Sequence, residues 1–389
     1  MPWRATLEVF AIFLRLGLTS FGGPVAHLAF FRNEFVLRRR WLADQAYTDL
    51  VALGQFLPGP ASSQVGLGIG LLRAGYPGAL AAWLGFTLPS ALMLALLALG
   101  ARHYSVLADA GVLHGLTLAA VSVVAQALCG MARSFCPDAF RVWLMLTVAA
   151  LLLIWPLPLL QPVLLLAAGV AGLIGCSRHR PVGAGLPLPG ISRRAGMIWL
   201  LVLLLLLAGL PWLAQLDPGG LPALADGFFR AGALVFGGGH VVVPLLQAEL
   251  VATGRMPAET FLAGYGAAQA VPGPVFSVSA FLGASMAGWP GAATAVLAIF
   301  APAFLWLMAA LPFWVRLSGS PPVRAAMAGV NAAVVGLLLV AWLSMLTGGA
   351  VQRPLDGLVV MAGWLALQYG RWPAWVVVAA CGLLGVWLA

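Results

Sequence analysis

Four short motifs place helix breakers inside apolar sequence: Phe21-Gly22-Gly23-Pro24, Pro58-Gly59-Pro60, Phe236-Gly237-Gly238-Gly239 and Pro272-Gly273-Pro274. A helix that restarts after such a break points free backbone N–H groups and the positive end of its dipole into the gap, which is chemistry suited to an anion. Gly permits the backbone excursion, and Pro at a first helical position loses no hydrogen bond because its N–H would have been an orphan. Neutral donors flank the second and fourth breaks: Gln55, Ser62, Ser63 and Gln64 in one, Gln269, Ser277 and Ser279 in the other. A single break of this kind reads equally as a kink with close glycine packing. Four at related positions favour a binding site formed by interrupted membrane helices.

Charge is sparse and therefore informative. Arg15 and Arg230 each lie in an apolar stretch six residues before a Phe-Gly-Gly. An intramembrane Arg is costly and faces either a partner or a wet cavity, and its planar fork suits a tetrahedral oxyanion. Two readings stay open: an anion clamp, or snorkelling and pairing with Glu8 and Asp226. Glu34 and Glu249 share a register and are candidates for proton coupling, with a surface ion pair to the neighbouring Arg32 as the alternative for Glu34. His27 and His240 sit near the breaks, though not at equivalent positions, and either donates to an anion, titrates near neutrality or packs as a satisfied polar group.

These residues recur because the chain repeats itself. On an offset of 215, Arg15, Gly17, Phe21, Gly22, Gly23 and Glu34 meet Arg230, Gly232, Phe236, Gly237, Gly238 and Glu249. The Gln55 to Pro60 segment returns as Gln269 to Pro274, and Pro89 returns as Pro302. The repeats divide the chain into residues 1–176, a basic linker at 177–195, and residues 196–389.

The elements that must position the breaks are membrane helices. Hydrophobic residues make up 62% of the 389 and charged residues 8%, with a mean hydropathy of +1.02. A soluble domain carries about a quarter charged residues. Apolar stretches near the length that spans a bilayer recur throughout, so the expected fold is an all-α integral membrane protein: a polytopic helical bundle of two homologous repeats with helices broken at the Gly/Pro motifs. Residues 5–31 read as one apolar segment, and the N-terminus does not read as a cleavable signal. The two short segments that close each half, near 142–176 and 355–388, read as a looser tail without distinctive residues.

Orientation follows the positive charges. Arg38-Arg39-Arg40 and the Arg-rich linker both call for the cytoplasm, whereas the counterpart loop of the second half carries no such address, which implies inverted repeats. Five apolar segments separate the two basic loops, an odd number. Either one of them is a re-entrant hairpin, with Val51 to Gly70 the best candidate, or one loop lies outside.

Several classes are excluded. All 20 basic residues are Arg, so no Lys is present for a Schiff base. The net charge of +9 sits in short loop clusters and is not a nucleic-acid footprint. Cys129, Cys136, Cys176 and Cys381 lack metal or disulfide spacing, and no phosphate-loop, triad or dinucleotide motif is present. No cofactor and no enzymatic activity are expected.

Taken in order, Phe21-Gly22-Gly23-Pro24 with His27, Arg39-Arg40-Trp41-Leu42, and Gln55 to Gln64 resemble the chromate ion transporter family in its long, two-domain form. The second half adds Phe236 to His240, Pro244-Leu245 and Gln269 to Pro274. This resemblance implies a multi-pass carrier in the bacterial inner membrane that expels chromate, driven by the proton-motive force, with sulfate as a related anion. It also implies that the halves arose by duplication. A homodimer is an allowed assembly, although the sequence does not give the oligomeric state. The rivals are a transporter of sulfate or another small anion, an anion channel, and a membrane-embedded chromate reductase.

Overall fold

The computed structural model describes residues 2–21, 23–103, 110–155, 160–176, 191–236, 241–314 and 320–388. Among these are fifteen α-helices and no strand. The first half contains α1 (Pro2–Thr19), α2 (Gly23–Phe31, extended by a π-helical turn Arg32–Arg38), α3 (Asp44–Phe56), α4 (Ala61–His103), α5 (Ala110–Phe135), α6 (Ala139–Ile154) and α7 (Leu160–Gly175). After α8 (Arg193–Leu216) the second half contains α9 (Leu221–Leu234), α10 (Val242–Leu250), α11 (Ala258–Ala270), α12 (Val278–Ala310), α13 (Pro321–Met345), α14 (Pro354–Gln368) and α15 (Ala374–Leu388). Five stretches are long and apolar enough to cross a membrane: Ala61–Gly100, Gly111–Phe135, Arg193–Leu216, Val275–Phe313 and Pro321–Ala350.

Two of these stretches are not single rods. α4 turns back on itself at Ala74 and Gly75, where Gly75 has φ 66°, and α12 does the same at Ala287 and Gly288, where φ is 63°. A Cβ on Gly70 would strike the carbonyl of Gly78, and one on Gly283 would strike that of Gly291, so the arms of each hairpin touch backbone to backbone. Bulkier residues would push the arms apart, which is why glycine faces glycine at both equivalent places.

The first apolar segment is also folded back, not straight. Arg15 on α1 pairs with Glu34, and Glu8 pairs with Arg39, so the chain returns from Gly23 onward alongside the helix it left. α3 and the first arm of α4 repeat the device. Gly54 lies against Ala61 and Gly68 against Leu50, an antiparallel pairing with Pro58-Gly59-Pro60 at its tip. α3 has 13 residues, about 20 Å at 1.5 Å per residue and short of a hydrocarbon core of about 30 Å. Both ends of this hairpin are anchored at one place. Arg32 bonds Asp44 at 2.8 Å, and Arg73 joins Glu8 while lying 4.6 Å over the Trp41 ring.

The chain forms two compact units. One comprises Met1–Ser105, Gly183–Gly239 and Ala267–Val315; the other comprises Val106–Val182, His240–Gly266 and Arg316–Ala389. Each unit therefore draws on both halves. In the first, Gly17 of α1 lies against the carbonyl of Phe86 in α4, and the equivalent Gly232 of α9 lies against that of Ile299 in α12. In the second, the closing segments are not a loose tail. α15 packs on α5 where Gly115 meets the backbone of Cys381, and α7 packs on α13 where Gly329 meets that of Ala168. Each short helix is thus clasped by the long helix of the other half. Nor is the tail without distinctive residues: Asp356 is fully buried and pairs with His114 of α5 at 3.1 Å.

Candidate functional site

The breaks are joined by a reciprocal pair of backbone hydrogen bonds. Gly59 N–H donates to the carbonyl of Val235 at 2.6 Å, and Gly273 N–H donates to that of Ser20 at 3.0 Å. Ser20 and Val235 are equivalent residues, as are Gly59 and Gly273, so each Pro-Gly-Pro tip binds the end of the helix that precedes the break in the other half. Both glycines sit in the left-handed region, at φ 120° and 109°, and both abut an opposing helix. A Cβ on Gly59 would lie 3.1 Å from that of Ala303, and one on Gly273 would lie 2.8 Å from Ser90 Oγ. Only glycine satisfies backbone and neighbour together. All of these residues belong to the first compact unit.

Around the tips the polar side chains divide into those that hold the tips and those left open. Gln64 donates to the carbonyls of Pro58 at 2.7 Å and Ala303 at 3.5 Å, so both of its amide protons are engaged. Ser90 donates to the carbonyl of Thr87 at 3.0 Å, which obliges Ser277 to donate to Ser90 Oγ at 2.7 Å. The hydroxyls of Ser20, Ser63, Thr87 and Ser279 are buried without a partner, as are Gln269 Nε2, Gln64 Oε1 and His27 Nδ1. Buried polar atoms are rarely left so, and a cluster of them marks a place for water or a ligand. Most of this cluster is neutral hydrogen-bond donors.

The sequence-derived site is therefore redistributed. Gly23, with φ 77°, and Pro24 open α2 as expected; Pro58, Pro60, Ser62, Pro272 and Pro274 are buried at the tips; Gln55 is exposed at the end of α3. Gly22, Gly237, Gly238, Gly239 and His240 lie outside the described residues. Glu249, on α10, belongs to the second unit. Arg15 and Glu34, expected to act separately, are 2.7 Å apart, and Arg230 pairs with Asp226 at 3.0 Å. Burial alone would raise the pKa of Glu34, but hydrogen bonds from Arg39, Arg15 and Arg38 outweigh it and hold the carboxyl below its usual range. Three arginines thus surround the Glu34 carboxylate.

Ser20, Thr87 and Ser90 were passed over in the sequence. Their signal was position: Ser20 immediately precedes a break, and Ser90 follows the repeated Pro89. Asp49 gave no such signal; it is fully buried on α3 and accepts a hydrogen bond from Gln45. A cavity of about 260 Å³ in the second unit is lined by Gln161, Gln247 and Ser344 on an otherwise apolar wall and contains none of the break residues.

The chain is 28% identical to a chromate transport protein of Cupriavidus metallidurans, with 99% of this chain and 94% of the relative covered. It is also 28% identical to a chromate transport protein of Pseudomonas aeruginosa (98% and 92%) and 26% identical to an uncharacterised transporter of Methanocaldococcus jannaschii (98% and 94%). No solved structure matches the chain. The profile of the chromate transporter family matches residues 7–173 and again 222–386, once for each half and with every described break inside a match, so this multi-pass membrane protein belongs to the chromate transporter family.

Proposed function

We propose that this chain exports chromate from the bacterial cytoplasm across the inner membrane, driven by the proton-motive force, and so confers chromate resistance. The observation that carries this reading is the crossed pair of tip hydrogen bonds, which gathers the repeat-related breaks beside a cluster of open hydroxyls in one compact unit. Ser20, Ser63, Thr87 and Ser279 supply neutral donors, and the restarting helices α2 and α4 supply N-terminal N–H groups and dipole. Arg15 and Arg230 each already face a carboxylate, Arg15 across the folded-back segment and Arg230 within its own helix, so neither is assigned to clamp the anion. Such a shell reads tetrahedral shape and charge, so sulfate is the natural competitor.

The repeats are inverted in this reading, and two observations support it. The hairpin of α3 and the first arm of α4 enters and leaves at the same Arg-rich end, which leaves an even number of crossings between the two basic loops. α8 then falls between the two family matches as a single added span of 24 residues, and one extra crossing reverses whatever follows. Uptake of radiolabelled chromate by energised everted vesicles tests the function. Accumulation above empty-vector vesicles, abolished by a protonophore and reduced by excess sulfate, is the expected result; flux indifferent to the protonophore would make the protein a channel, and sulfate uptake without chromate uptake would replace the substrate.

A further inference from the structure

His27 is wholly buried on α2, and its ring is fixed from both sides. Nε2 lies 3.3 Å from the carbonyl of Ser20, and the ring meets the edge of Phe86 at 5.1 Å and 89°. A carbonyl can only accept, so Nε2 carries the hydrogen and, in the neutral ring, Nδ1 presents a bare lone pair. That lone pair has no partner. The same Ser20 carbonyl receives Gly273 N–H, so the imidazole is bound to the backbone group that holds the Pro-Gly-Pro tip, and the hydroxyl of Ser20 itself is likewise buried without a partner.

A lone pair repels an oxyanion, whereas a proton on Nδ1 turns it into a second donor bearing charge. The ionisable groups on the surrounding elements are engaged elsewhere. Arg15 and Glu34 pair with each other, Glu8 with Arg39 and Arg73, and Asp44 with Arg32. Tyr47 donates to the carbonyl of Leu28, and Asp49 accepts from Gln45. We propose that His27 is the proton-binding residue of the substrate site, taking a proton from water onto Nδ1 as the dianion enters, so that anion and proton bind together. The inference rests on the export reading and adds the co-ligand to it.

Calorimetry of chromate binding to the full-length protein in lipid nanodiscs, in buffers of differing ionisation enthalpy, counts the protons taken up. Wild type should take up as much as about one proton more per chromate than His27→Gln, whose amide keeps the donor to Ser20. Its affinity should also fall with rising pH more steeply than the variant's, by up to about tenfold per pH unit. Equal proton counts in wild type and a variant of unchanged melting temperature would overturn the proposal. If the variant does not fold, the wild-type count corrected for chromate's own protonation decides, and zero overturns it. Failure of both proteins to bind chromate would instead remove the substrate reading, and this proposal with it.

Discussion

At the scale of single residues, the site is decided by which protons are already in use. Gln64 and Ser277 look like ligands in the sequence, but their donors, with that of Ser90, hold the two tips. Ser63 and Ser279, their close neighbours, have free hydroxyls at the same depth. A hydrogen bond to a charged partner contributes roughly 1.5–3 kcal/mol, so Ser63→Ala and Ser279→Ala should each raise the concentration for half-maximal chromate uptake roughly tenfold to a hundredfold. Membrane abundance should stay at the wild-type level, because no intramolecular bond is removed. Initial-rate uptake in vesicles, normalised to protein by immunoblot, measures this; unchanged kinetics in both variants would place the anion elsewhere.

At the scale of the element, the glycines that matter are those that let one backbone touch another. Gly70 against Gly78 closes the α4 hairpin, and a valine there must force the arms apart. Gly70→Val, and equally Gly283→Val in α12, should abolish folded protein in the membrane. Gly130→Ala, where nothing lies within 4 Å, should match wild type in abundance and melting temperature. Normal abundance of Gly70→Val would mean that the arms do not meet. The repeat, the breaks and most helix positions were legible in the sequence, since periodic apolar runs and Gly/Pro punctuation are local signals. The folding back of α1 onto α2 was not: residues 5–31 read as one span, and only the Arg15–Glu34 and Glu8–Arg39 pairs reveal the return. The Ser90–Ser277 bond spans 187 residues and the packing of α15 on α5 joins opposite ends of the chain, so neither leaves a trace at short range.

At the scale of the whole molecule, orientation and charge set the driving force. Inverted repeats place the Arg38–Arg40 loop in the cytoplasm and its counterpart near Arg255 outside, so an alkaline phosphatase fusion should be active at the second and silent at the first; equal activity at both would make the repeats parallel. If a proton travels with the dianion on His27, each cycle moves one net negative charge outward. The inside-negative potential then favours export by about 2.3 kcal/mol per 100 mV, while the pH gradient opposes it, because the proton leaves against its own gradient. In everted vesicles the signs reverse and the anion should accumulate in a positive, acidic interior. Valinomycin with potassium, which collapses the potential, should therefore stop chromate accumulation, whereas nigericin, which collapses only the pH gradient, should leave it intact or increase it. Loss of accumulation with nigericin as well as with valinomycin would mean that proton and anion move in opposite directions, since an exchange adds the two charge movements and is driven by both gradients; the two then do not bind together beside His27 and the carrier is an exchanger.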